Sequence, residues 1–181
     1  DGTLKPLYDG IVLQGMNVMS LQYYGFLHPN PAFKDKRVRQ AFCYAIDREK
    51  LCRYTLRGSG FPAIYGYIPP GTGTYPANKI KGYTYKPDLA RQLLADAGYP
   101  KGKGFPQITL QLNSGGGRNG QVAEAIQKML IETLNIDVQI LTMPWPQHTE
   151  AIEAAKSPFY RLGWVADYPD GENFLNLFHS K

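Results

Sequence analysis

The stretch QITLQLNSGGGRNGQVAEAIQKMLIETLNIDVQILTM, residues 107–143, carries two periodicities from which an architecture follows. Residues 107–113 alternate apolar and polar, which predicts a strand with one buried face. From Asn119 the period changes. Val122, Ala125, Ile126, Met129, Leu130 and Leu134 recur at helical spacing and share one face. Residues 136–143 return to a strand pattern. A strand, a crossover helix and a second strand form the unit that builds a parallel pair.

Working outward, WPQHTEAIEAAKS (145–157) predicts a helix with Pro146 at its start, and FYRLGWVA (159–166) a third strand. GENFLNLFHS (171–180) reads as a short helix or turn. The later half is therefore β-α-β-α-β, an α/β chain whose central sheet is mostly parallel or mixed and flanked by helices. Upstream, KPDLARQLLADAGYP (86–100) predicts a helix with Pro87 in the first turn and Gly98 just past its end. Residues 35–57 read as one helix, N-capped by Asp35, with Val38, Ala41, Phe42, Ala45 and Ile46 along its buried stripe and Asp35 paired to Arg39. Residues 58–87, rich in Gly, Pro and Tyr, form a long loop, either a surface excursion pinned by tyrosines or a wall of a cleft. Residues 9–27 hold two short strands or one interrupted strand.

With 181 residues the chain is of single-domain size, and 43% apolar residues suffice for a core. No apolar run reaches bilayer-spanning length. The net charge of +5 is scattered, without the basic stripe or motif of a nucleic-acid binder. Cys43 and Cys52, nine residues apart in the expected helix, lie about 13 Å apart along its axis, too far for a disulfide, and leave the compartment open. The chain begins with Asp and ends in FLNLFHSK without a cap, and reads as a piece of something longer.

GGGRNG (115–120) matches G-x-G-x-x-G between a strand and a helix, the setting of a dinucleotide-binding turn. The acid that would hold a ribose is missing from the end of the next strand, which reads LTMP, and a flexible turn explains the glycines. His28, His148 and His179 have no partners at metal-ligand spacing, and no serine stands in a nucleophile setting. No metal, cofactor or catalytic set is implied, and the chain reads as a non-enzyme.

Residues 159–167 are the best candidate site. In an extended strand Phe159, Arg161, Gly163, Val165 and Asp167 share one face, and Tyr160, Leu162, Trp164 and Ala166 the other, which suits a core. Arg161 and Asp167 are about 20 Å apart and cannot neutralise one another. Gly163 between them leaves room for another backbone. A cation, an anion and an open strand complement an extended zwitterion such as a short peptide, whose backbone would pair through Gly163 and Val165. On the strand alone the simpler account is preferred, in which Asp167 caps the turn DYPDG and Arg161 is solvated.

FKDKRVRQAFCYAIDREKL (33–51), preceded by YYGF, resembles the signature of the extracytoplasmic solute-binding proteins of the peptide/nickel ABC importer family, family 5. YKPDLARQLLADAGYP (85–100), QVAEAIQKMLIETLNIDVQI (121–140) and GWVADYPDGENFL (163–175) are similar to further family segments in the same order, with Asn135 and Gly171 as departures in turns. The resemblance implies a periplasmic-binding-protein type II lobe. Residues 1–181 would form most of the second of two lobes, with 1–20 near the hinge and the first lobe missing. It implies ligand-binding roles for Asp167 (the peptide α-amino group), Arg161 (the carboxylate), Gly163 and Val165 (the backbone) and Trp164 (a pocket wall, although strand parity turns it to the core). The implied partners are a short peptide, a membrane permease and the missing lobe, with no nucleic acid. The implied location is a periplasm or the extracellular cell surface, free or lipid-anchored. Rival readings are a non-peptide solute (nickel chelate, sugar, haem or opine), a nucleotide-dependent enzyme using GGGRNG, and a chaperone-like interaction domain.

Overall fold

The computed structural model describes residues 18–115 and 117–179. Its strands are β1 (Ser20–Phe26), β2 (Ile108–Asn113), β3 (Val138–Met143) and β4 (Phe159–Val165). Its helices are α1 (Lys36–Ala45), α2 (Arg48–Lys50), α3 (Pro87–Asp96), α4 (Asn119–Leu134), α5 (Trp145–Glu153) and α6 (Gly171–Leu175). The strands form one sheet in the order β1-β4-β2-β3. β2 runs parallel to β3 and to β4, as the crossover helices demand, and β1 closes the other side antiparallel to β4. The mixed sheet and flanking helices expected from the sequence are therefore present. The early part of the 9–27 segment and most of the hinge-proximal region lie outside the described residues.

The main core lies between one sheet face (Leu110, Leu112, Val138, Phe159) and α1, α3 and α4, which contribute Val38, Phe42, Ala90, Leu94, Ile126 and Leu130. Phe26, Phe33, Phe42 and Phe159 form its aromatic centre, with ring centroids 4.8–6.0 Å apart. Phe33, Phe42 and Phe159 have no exposed surface, and each such burial contributes about 1.5–3 kcal/mol. A smaller cluster of Leu21, Ile68 and Phe174, joined by Tyr23, Tyr67 and Trp164, covers the opposite face of β1 and β4. The long loop supplies Ile68 and Tyr67 to it and sets Tyr83 edge-on to Tyr44 at 5.0 Å, so tyrosines do pin it to the fold.

The structure corrects the expected single helix over 35–57. Ile46 is extended (φ −96°, ψ 116°), and Asp47 starts α2 by accepting from the Lys50 N–H. A short polar side chain that bonds nearby backbone competes with helix continuation. The Arg48 guanidinium folds back onto the carbonyls of Cys43 and Ile46, meeting acceptors that the end of α1 leaves bare. The chain then passes through a π-turn (Leu51–Thr55) and leaves the helical run at Arg57 (φ +52°), one residue before the expected stop at Gly58 (φ +78°). Cys43 and Cys52 are both free, although the straight-helix spacing argument does not hold across this break. Asp35 pairs with Arg37 at 2.7 Å, not with Arg39, which instead donates to the Phe33 and Lys34 carbonyls. In α4 the buried face includes Ala123 and Thr133, while Val122, Ala125 and Met129 sit at its margins.

Candidate ligand-binding site

β4 is hydrogen-bonded to β1 along its whole length, but to β2 only at Phe159 and Tyr160. Bonds just outside the ladder give its phase: Leu27 N–H donates to the Pro158 carbonyl, and Ala166 N–H to the Met19 carbonyl. In an antiparallel pair, residues alternate between facing their partner strand and facing away. Residues 158, 160, 162, 164 and 166 thus turn their backbone groups to β1. Phe159, Arg161, Gly163 and Val165 turn theirs to the opposite edge, which is free of β2 beyond Tyr160.

Arg161 is half-buried and tied down, not simply solvated. One guanidinium nitrogen donates to Asn113 Oδ1 at 2.8 Å, at the end of β2, and another donates to Gln22 Oε1 on β1. Both acceptors are neutral amides, and among the described residues no carboxylate pairs with Arg161. Burial lowers its pKa, opposed by Tyr24 and Tyr23. Burial pushes the Tyr24 phenol up to about 12 even though the Arg161 cation pulls it down. The cluster keeps an uncompensated positive charge beside the open edge, which favours an anion.

Gly163 departs from expectation in one respect. A Cβ there would lie 2.5–2.9 Å from the Gln22 amide, so the space above it holds that side chain and no bare gap. Its main-chain groups still face the free edge. Val165 is the last residue of β4 and is 59% exposed. The strand stops short of Asp167, so alternation does not place that carboxylate; it stands in the bend beyond. Asp170, not Asp167, caps α6 by accepting from the Glu172 N–H at 2.8 Å. Asp167 is exposed and has no hydrogen-bond or ion-pair partner among the described residues. Trp164 packs in the smaller cluster and donates through Nε1 to Asn173 Oδ1 at 2.7 Å, as strand parity requires.

Four polar groups were not identified from sequence. His148 on α5 is fully buried, and its Nε2 lies 2.8 Å from the Arg161 carbonyl. Its Nδ1 lies 2.9 Å from Gln111 Nε2, and Ser157 Oγ donates to Gln111 Oε1 at 2.8 Å. Burial lowers the His148 pKa, the Arg161 cation adds to this, and the bond to the Arg161 carbonyl opposes it. Asn119, at the start of α4, has a buried side-chain nitrogen without a partner among the described residues. Nothing in the sequence marked Gln111, because the alternation puts it with Thr109 and Asn113 on the face expected to be polar. In GGGRNG, Gly115 and Gly117 take positive φ, and Arg118 donates to the Leu56 carbonyl, which fits a turn serving the fold.

Residues 5–181 match the bacterial extracellular solute-binding proteins, family 5, middle region. The chain belongs to this family. The Bacillus subtilis dipeptide-binding protein DppE is 31% identical over 170 residues, covering 88% of this chain and 30% of that protein. The heme-binding protein A of Haemophilus influenzae is 28% identical over 166 residues, covering 90% of this chain and 29% of that one. Among solved structures, a periplasmic oligopeptide-binding protein from Borrelia burgdorferi superposes with a TM-score of 0.82 at 30% identity, covering 91% of this chain and 32% of its own. The chain thus spans about a third of the length of these relatives. The resemblance read from the sequence is to this same family.

Proposed function

We propose that this chain is the ligand-holding part of one lobe of an ABC importer's solute-binding protein. It acts outside the cytoplasm, without catalysis, and captures short peptides for delivery to a membrane permease. Asp167 takes the ligand's α-amino group, Gly163 and Val165 pair with its backbone, Arg161 attracts its carboxylate, and Trp164 supports the strand from behind. A second lobe of the same protein would close over this edge. The observation that carries the reading is an exposed carboxylate without a partner among the described residues, just past a strand edge whose main-chain groups have no partner among them either. Names of relatives that include dipeptide- and oligopeptide-binding proteins support it.

A hydrogen bond to a charged group is worth about 1.5–3 kcal/mol net. Asp167→Asn in the full-length protein is therefore expected to weaken trialanine binding by at least about tenfold, measured by calorimetry. Unchanged affinity would remove Asp167 from the site. The heme-binding relative favours a second reading, a non-peptide solute at the same edge. Mass spectrometry of small molecules co-purifying with the full-length protein separates the two.

A further inference from the structure

We infer that His148 caps the last backbone carbonyl of β4 that β2 could pair, ends the β2–β4 ladder at Tyr160, and so anchors the root of the open edge as a positioning residue for Gly163 and Val165. The inference rests on the peptide-capture reading for its consequence, but its geometry stands apart from it.

The parallel register pairs Leu110 with Phe159 and Gln111 with Tyr160, and there it stops, although β2 runs on through Leu112 and Asn113. Arg161 is the next residue of β4 whose backbone faces β2. Its carbonyl meets the His148 imidazole at 2.8 Å. A carbonyl only accepts, so Nε2 carries the hydrogen. Nδ1 is then the acceptor for the Gln111 amide at 2.9 Å, and that same amide nitrogen donates to the His148 carbonyl at 3.2 Å. Gln111 Oε1 accepts from Ser157 at 2.8 Å. The hydrogen bonds therefore run in one direction, from Ser157 through Gln111 and His148 to the Arg161 carbonyl. This admits one tautomer, the neutral Nε2–H imidazole. Gln111, His148 and Ser157 are 5%, 0% and 2% exposed, so the chain is shielded from competing water.

A strand edge whose next carbonyl is already satisfied has no drive to zip further. β4 parts from β2 at this point, and the Arg161 guanidinium spans from β1 to the tip of β2. β2 ends at Asn113, which the register sets opposite Leu162, so the following outward-facing residues, Gly163 and Val165, lie beyond its end and, among the described residues, keep their N–H and C=O groups for an added strand.

The test uses the full-length protein, with trialanine as the probe. The imidazole 15N spectrum at neutral pH should show Nε2 protonated and Nδ1 bare. His148→Leu should bind trialanine about tenfold or more weakly, while His148→Gln, which keeps an N–H near the same place, should stay within about threefold of the parent. Circular dichroism reports whether each variant is folded. A proton on Nδ1 or on both nitrogens would overturn the inference. So would a Leu variant that binds like the parent, or a folded Gln variant as weak as the Leu one. If the parent protein itself ignores trialanine, peptide capture fails, and the imidazole spectrum still decides whether His148 caps the carbonyl.

Discussion

Two glycines on facing strands show how a residue's surroundings, not its type, set the cost of changing it. A Cβ on Gly25 would lie 2.5 Å from Cζ of Tyr160, whose ring lies over it across the β1–β4 ladder. A half-buried aromatic ring has little room to retreat. Gly25→Ala should therefore destabilise the fold by about 1–3 kcal/mol, read from the urea midpoint. A Cβ on Gly163 meets the Gln22 amide, the far end of a flexible and exposed side chain. Gly163→Ala should cost less than about 1 kcal/mol by the same measurement, because Gln22 can swing away. Its sequence context suggested a gap for a ligand backbone, and the gap is filled from β1. Asp167 and Asp170 show the converse. Either carboxylate suits the turn chemistry of DYPDG, and only the backbone path assigns the cap to Asp170 and leaves Asp167 without a partner among the described residues.

At the scale of elements, long periodic segments were legible. α4 follows its apolar stripe and ends at Asn135 in the left-handed conformation (φ +56°) that stops a helix. Apolar spacing alone predicts an unbroken helix after Asp35, because it is blind to a side chain that bonds nearby backbone. Asp47 both interrupts that helix and starts the next. Asp47→Ala should cost about 0.5–2 kcal/mol of stability, seen as a lower denaturant midpoint, since the Lys50 N–H loses its acceptor. Arg48 depends on the same break, because its guanidinium reaches carbonyls that a continuous helix would have used.

For the molecule as a whole, one buried histidine ties stability to pH. Burial holds His148 below the ordinary histidine pKa of about 6.5. Above that pH it is neutral both folded and unfolded, and contributes no slope. Below it the unfolded chain gains a proton that the folded chain resists, so stability falls as the solution is acidified. The loss is at most about 1.4 kcal/mol per pH unit. Urea unfolding at about pH 7.5 and about pH 5.5 should show a larger drop for the parent than for His148→Leu. An equal drop in both would assign the acid sensitivity to other groups.

What could be read along the chain was whatever neighbouring residues settle among themselves: the strand and helix periods, the stop at Gly98, and the β-α-β-α-β order that makes a mostly parallel sheet. Arg161, Gly163, Trp164, Val165 and Asp167 were accessible as candidates because they sit together in one short segment. The rest of the site was not. Gln22 reaches Arg161 across 139 residues of sequence, Asn113 across 48, Ser157 reaches Gln111 across 46, and Gln111 reaches His148 across 37. These contacts exist because β4 lies between β1 and β2 in the sheet. That placement is a competition among distant strands for burial and hydrogen bonds, and such a competition leaves no periodic mark on the residues it brings together.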